Sequence, residues 1–124
     1  MDKLNTLLQQ RDIIEDYDST TSPSFNAWVQ AVNRELRRLC RTCGGKMLKF
    51  SPNHYTWTCF IASQSGQVWY LSCSDVRHFP SQGILFRTAK NNTDYTGGSN
   101  QWTPPEELTN TVKKLLKDSE EEVD

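Results

Sequence analysis

The stretch from Phe86 to Trp102, FRTAKNNTDYTGGSNQW, brings together the residue types that hold an anion. Arg87 and Lys90 supply positive charge near its start, and the planar fork of an arginine meets two phosphate oxygens at once. Asn92, Asp94 and Asn100 offer amide and carboxylate groups for sugar hydroxyls or base edges. Thr96, Gly97, Gly98 and the residues after them have the backbone freedom to form a nest of N–H groups. Tyr95 and Trp102 present rings on which a base could stack. A simple connector needs about four to six residues, and this segment is longer. Its plainer reading is a polar loop held by its own asparagines, whose side chains cap nearby amides. The combination points to a site for an anionic, ring-bearing ligand such as a nucleotide.

A second cationic set lies earlier. Arg34, Arg37, Arg38 and Arg41 stand at i, i+3, i+4 and i+7 and so share one side of a helix, opposite Phe25, Val32 and Leu36. That side can simply be the solvent face. Only Glu35 relieves the i,i+4 repulsion of the arginines, however, so the stripe is also a candidate for contact with an anion or a protein partner.

Cys40 and Cys43 have the C-x-x-C spacing of half a zinc knuckle, but no second C-x-x-C follows. Cys59 and Cys73 flank a hairpin: a two-residue Ser65-Gly66 turn would set Cys59 opposite Ser72, a three-residue loop opposite Cys73. His54 and His78 lie in unrelated contexts. No metal or cofactor is expected, and the cysteines are read as ordinary free thiols. Two histidines, few clustered acids and no G-x-S-x-G, H-E-x-x-H or phosphate-loop motif point to binding rather than catalysis.

Net charge is −1, but its distribution is uneven. Residues 1–24 carry two basic and five acidic groups, and residues 102–124 carry three and seven. Between them, residues 25–101 hold nine basic groups against three acidic, a balance of +6. A basic middle attracts anions, while acidic ends discourage indiscriminate nucleic-acid binding. No apolar run approaches the roughly 20 residues of a membrane span, and no signal-peptide pattern is evident. The expectation is a soluble cytoplasmic protein with reduced cysteines.

These residues need a scaffold, and the periodicity supplies one. Leu4, Leu7, Leu8, Arg11 and Ile14 suggest a short first helix. Ser22-Pro23 opens a second, with Phe25, Trp28, Val29, Val32, Leu36 and Leu39 on one face, and Gly44-Gly45 close it. Alternating segments follow at 47–50, 54–63, 68–73 and 84–89, with 76–79 as a continuation or a further strand. Thr103-Pro104-Pro105-Glu106 reads as a capping box for a last helix striped by Leu108, Val112, Leu115 and Leu116. The expectation is one α+β domain over residues 1–117, with two N-terminal helices, an antiparallel meander of about four strands and a C-terminal helix. Residues 118–124 are expected to form an acidic disordered tail.

Two helices, a compact antiparallel sheet and a polar glycine loop in a small chain resemble small phage or mobile-element proteins, among them the Thoeris anti-defence proteins that sequester nucleotide signals. The resemblance is one of size and layout, and no motif residue is carried over from it. It implies an oligomeric, non-catalytic sponge for cyclic or modified nucleotides. Two other readings stand beside it: a protein-interaction module built on the arginine stripe, and a zinc-stabilised nucleic-acid binder.

Overall fold

The computed structural model describes residues 3–9, 23–53, 56–73, 83–91 and 98–121. Helix α1 (Lys3–Gln9) and helix α2 (Pro23–Thr42) precede strands β1 (Lys46–Asn53), β2 (Thr56–Ala62), β3 (Val68–Cys73), β4 (Ile84–Ala89) and β5 (Gln101–Thr103). A single 3₁₀ turn, Pro105–Glu107, leads into helix α3 (Leu108–Glu121), which enters the acidic run. The fold is α+β, as the periodicity implies, with five strands rather than about four. They form one antiparallel meander in the order β1-β2-β3-β4-β5.

α2 is a helix because its apolar residues recur at helical spacing and its ends are both specified. Pro23 stands at the first helical position, where a missing N–H costs nothing. At the other end Gly44 takes φ 82°, which an L side chain resists. The Gly44 amide then donates to the Arg41 carbonyl at 3.0 Å and the Gly45 amide to the Cys40 carbonyl at 2.9 Å. That pair of bonds is a Schellman motif, and it turns the chain directly into β1.

The sheet has two unlike faces. Met47, Phe50, Trp57, Cys59, Ile61, Trp69, Leu71, Cys73, Ile84 and Phe86 line the inner face and pack with Leu4, Leu8, Trp28, Val29, Val32, Leu36, Leu108, Val112 and Leu116 of the helices. These positions alternate with outward ones, the period-two pattern of a strand packed on one side, except at the β1 bulge between Met47 and Lys49. α1 is fastened to α2 by the Trp28 indole N–H, which donates to the Leu7 carbonyl at 2.6 Å. None of the helices is long and apolar enough to cross a membrane, among the described residues.

Three local expectations are corrected. The link between β2 and β3 is a five-residue loop, 63–67, closed by Ser63, whose amide donates to the Gln67 carbonyl at 2.9 Å. Cys59 therefore sits opposite Leu71, neither Ser72 nor Cys73, and Cys73 faces Trp57. Thr103 ends a strand rather than capping a helix: it pairs with Ile84, and its hydroxyl meets the Thr111 hydroxyl at 2.8 Å. β5 itself lies inside the stretch expected to be loop. Ser22, His54, His78 and the candidate segment 76–79 lie outside the described residues.

Candidate functional site

Of the loop candidates, Arg87, Lys90, Gly98 and Asn100 are described, whereas Asn92, Asp94, Tyr95, Thr96 and Gly97 lie outside the described residues. The described four are brought to the junction of β4 and β5, and three of them touch. Arg87 Nη1 donates to Asn100 Oδ1 at 2.8 Å, and Nη2 donates to the Gly98 carbonyl at 2.5 Å. Gly98 is where the chain returns across β4. A Cβ there would come within 2.6 Å of Thr88 Oγ1 and 2.7 Å of the Thr88 carbonyl, so only glycine lets the backbone pass. Lys90 stands exposed just beyond the end of the strand.

This geometry changes the chemistry assigned to Arg87. Both ends of its fork already hold neutral acceptors, so the side chain is a strut across the base of the loop. Neither acceptor carries a charge, and no ion pair with Arg87 occurs among the described residues. Its positive charge therefore remains available to an anion nearby. Its Nε is buried and has no hydrogen-bond partner.

Arg87 projects from the outer face of the sheet, and the strand register shows what stands beside it. Lys49 pairs with Phe60, Phe60 with Tyr70, and Tyr70 with Arg87. The result is one row across four strands that reads cation, ring, ring, cation. The two rings lie 5.1 Å apart, tilted at 52°. The neighbouring row, Ser51–Thr58–Ser72–Leu85–Trp102, carries three hydroxyls and ends on Trp102, which is 52% exposed. Lys46 heads the row on the other side, opposite Ala62. The strands contain three cations, Lys46, Lys49 and Arg87, and no acid at all; every one of the three is on the outer face. Outer-face side chains are absent from the helix-packed core. Sequence reasoning did not single out Lys46, Lys49, Phe60 or Tyr70. The outward parity of Phe60 in TWTCFIA and Tyr70 in VWYLSC was visible, but Lys46 and Lys49 share a face only through the bulge between Met47 and Lys49, and the adjacency of all four depends on two loop lengths.

The arginine stripe is exposed along its whole length, at Arg34, Arg37, Arg38 and Arg41. Arg37 Nε donates to Asn33 Oδ1 at 2.8 Å, and Arg38 forms an ion pair with Glu35 at 2.8 Å. Arg34 and Arg41 have no such side-chain partner among the described residues.

The C-x-x-C cysteines are placed by helix termination. Cys40 is buried in the core, Cys43 is half-buried at the last turn, and all four cysteines are free. Burial, reinforced by Cys43, pushes the Cys40 thiol up to about 12, against the opposing pull of Arg37. Burial raises Cys59 as well, with Cys40 adding to it. Cys43 is raised less, since Lys113 counters its burial. Neutral thiols of this kind are poor metal ligands and poor nucleophiles. Among the described residues no group of three Cys, His, Asp or Glu is arranged to hold a metal ion.

Comparison with protein-family models, with curated proteins and with solved structures returned no match for this chain.

Proposed function

We propose that this protein is a non-enzymatic binder of an anionic, phosphate-bearing, ring-containing ligand of the nucleotide class, taken on the outer face of the sheet beside the β4–β5 loop. The observation that carries the reading is the Lys49–Phe60–Tyr70–Arg87 row, which sets the half-buried Tyr70 ring, packed on a buried Phe60, between two cations on strands without an acid. Charge draws the ligand in, a ring offers a stacking surface, and Ser51, Thr58 and Ser72 offer hydroxyls to its polar edges. The loop residues Asn92, Asp94, Tyr95, Thr96 and Gly97 belong to the same proposal on their side-chain chemistry alone. The chemistry is recognition alone, without cofactor. In the setting that the phage-protein resemblance implies, such binding would sequester a signal in the cytoplasm, in an oligomeric form.

A thermal-shift screen of the full chain against mono-, di- and cyclic nucleotides tests this. A ligand at a hundredfold excess over its Kd stabilises the fold by about 2.7 kcal/mol, a shift of several degrees. A flat screen, with native mass spectrometry finding no bound nucleotide, would remove the reading.

The arginine stripe supports a second reading, a protein-interaction module for an acidic partner. Arg34 and Arg41, exposed and without a side-chain partner among the described residues, favour it.

A further inference from the structure

Resting on the ligand class proposed above, we infer that the outer face takes a single-stranded oligonucleotide laid across the strands, rather than a lone mononucleotide. The separation of the charges carries this. Lys49 and Arg87 stand three strand spacings apart, about 14 Å between backbones. Arg87 leans away from Lys49, because its fork is bonded to Gly98 and Asn100 on the β5 side. A phosphate group is gripped at hydrogen-bond distance, so one phosphate cannot meet both cations. A ligand that satisfies both has at least two anionic groups with flat material between them, and here the accessible ring in that interval is the half-buried Tyr70, backed by the buried Phe60.

A polynucleotide strand has this alternation of phosphate and ring. At the 3.4 Å rise of a stacked strand, about four nucleotide steps span the distance between the two cations, and an extended strand needs fewer. Trp102, exposed at the far end of the adjacent row, adds a second stacking surface about 19 Å from Ser51 at the other edge. The strand must be single, since a duplex buries the base faces that aromatic side chains stack upon. Lys46, in the row flanking Lys49, extends the positive track along β1. No acid stands within the strands to neutralise the face from within it.

Fluorescence anisotropy of the full chain with labelled ten-nucleotide DNA and RNA strands gives the test, with mononucleotides, the matching duplex and polyglutamate as competitors. The single strands should bind and quench Trp102 emission, and neither mononucleotide nor polyglutamate should displace them at equal charge. Affinity should fall with salt, and Lys49→Gln should reduce the slope of log K against log salt by about 0.7. Trp102→Ala, at an exposed position, and Tyr70→Leu should each weaken binding about tenfold with the circular dichroism spectrum unchanged. Displacement by polyglutamate as readily as by oligonucleotide would overturn the inference, as would binding indifferent to Trp102 and Tyr70. Mononucleotides that bind as tightly as the strands would overturn it while leaving the proposed function standing. If neither form binds at low salt, both fall.

Discussion

At the scale of single residues, Arg87 and the cysteines make the sharpest claims. Arg87 bonds two neutral oxygens at the base of a loop, and a bond from a charged donor contributes about 1.5–3 kcal/mol. Arg87→Ala should therefore lower the melting temperature by several degrees, with or without ligand. Arg87→Lys keeps the charge but loses the fork, so it should retain part of any ligand affinity while melting early. Unchanged melting in both variants would show that the strut holds nothing. The thiols have a directional dependence on pH. Cys40 ionises near 9.0 in an unfolded chain and at about 12 when buried, so the folded state keeps its proton longer. This contribution is fully present below pH 9 and is lost as pH rises from 9 towards 12. Urea melts at successive pH values should show stability falling from about pH 9 upward. Native-state labelling by a thiol reagent should modify Cys43 first, with Cys40, Cys59 and Cys73 protected by burial.

At the scale of elements, what could be read from the sequence depended on whether the signal was local. α2 was legible because Pro23, an apolar stripe and Gly44 all lie in one stretch of chain. β5 was not, since Gln101-Trp102-Thr103 is too short to show alternation and follows Gly97-Gly98. The capping box failed because Thr103 was already committed to Ile84 and Thr111. The hairpin register failed because Ser63 closes a five-residue loop instead of the tight turn that Ser65-Gly66 suggests. The outer row of Lys49, Phe60, Tyr70 and Arg87 needed all three registers between β1 and β4, so no spacing in the sequence reveals it. The sheet edges show a further local device: β1 carries a bulge between Met47 and Lys49 and has Pro52 one residue from its end, while β5 has three residues. Short or interrupted edges resist strand addition, so any self-association should use a face rather than an edge. The helix pair makes its own prediction. Trp28 is 2% exposed and holds Leu7 through its indole, so Trp28→Ala should cost about 3–5 kcal/mol in chemical denaturation. Trp28→Phe keeps most of the volume and should cost about 1–2 kcal/mol, the share of the lost hydrogen bond. Equal losses in the two variants would contradict that division.

At the scale of the whole molecule, opposite charges are sorted onto different regions. The outer sheet face and the exposed side of α2 are positive, and residues 1–24 and 102–124 are net acidic. The two positive surfaces can be separated by experiment. Replacing Arg34 and Arg41 by Glu takes net charge from −1 to −5, two units for each reversal, at exposed positions. Stability should stay within about 0.5 kcal/mol per site, because neither side chain has a partner among the described residues. Nucleotide or oligonucleotide binding should also survive, whereas a partner held by the stripe should be lost in pull-down. Lost nucleotide affinity in that variant would move the site from the sheet to α2. The meander has a last consequence, for the order in which the fold is built. Every strand pairs with its neighbour in sequence, across connections of two to eleven residues, so the sheet is built from sequence-local pairings, the kind of topology that forms quickly. α1 is different: it rests against α2, the Pro105–Glu107 turn and α3, the last two reached across about 100 residues of chain. Its docking surface is complete only after everything else has assembled. α1 should therefore join last and leave first, and in native-state hydrogen exchange the amides around Leu7 and Leu8 should open well below the energy of global unfolding.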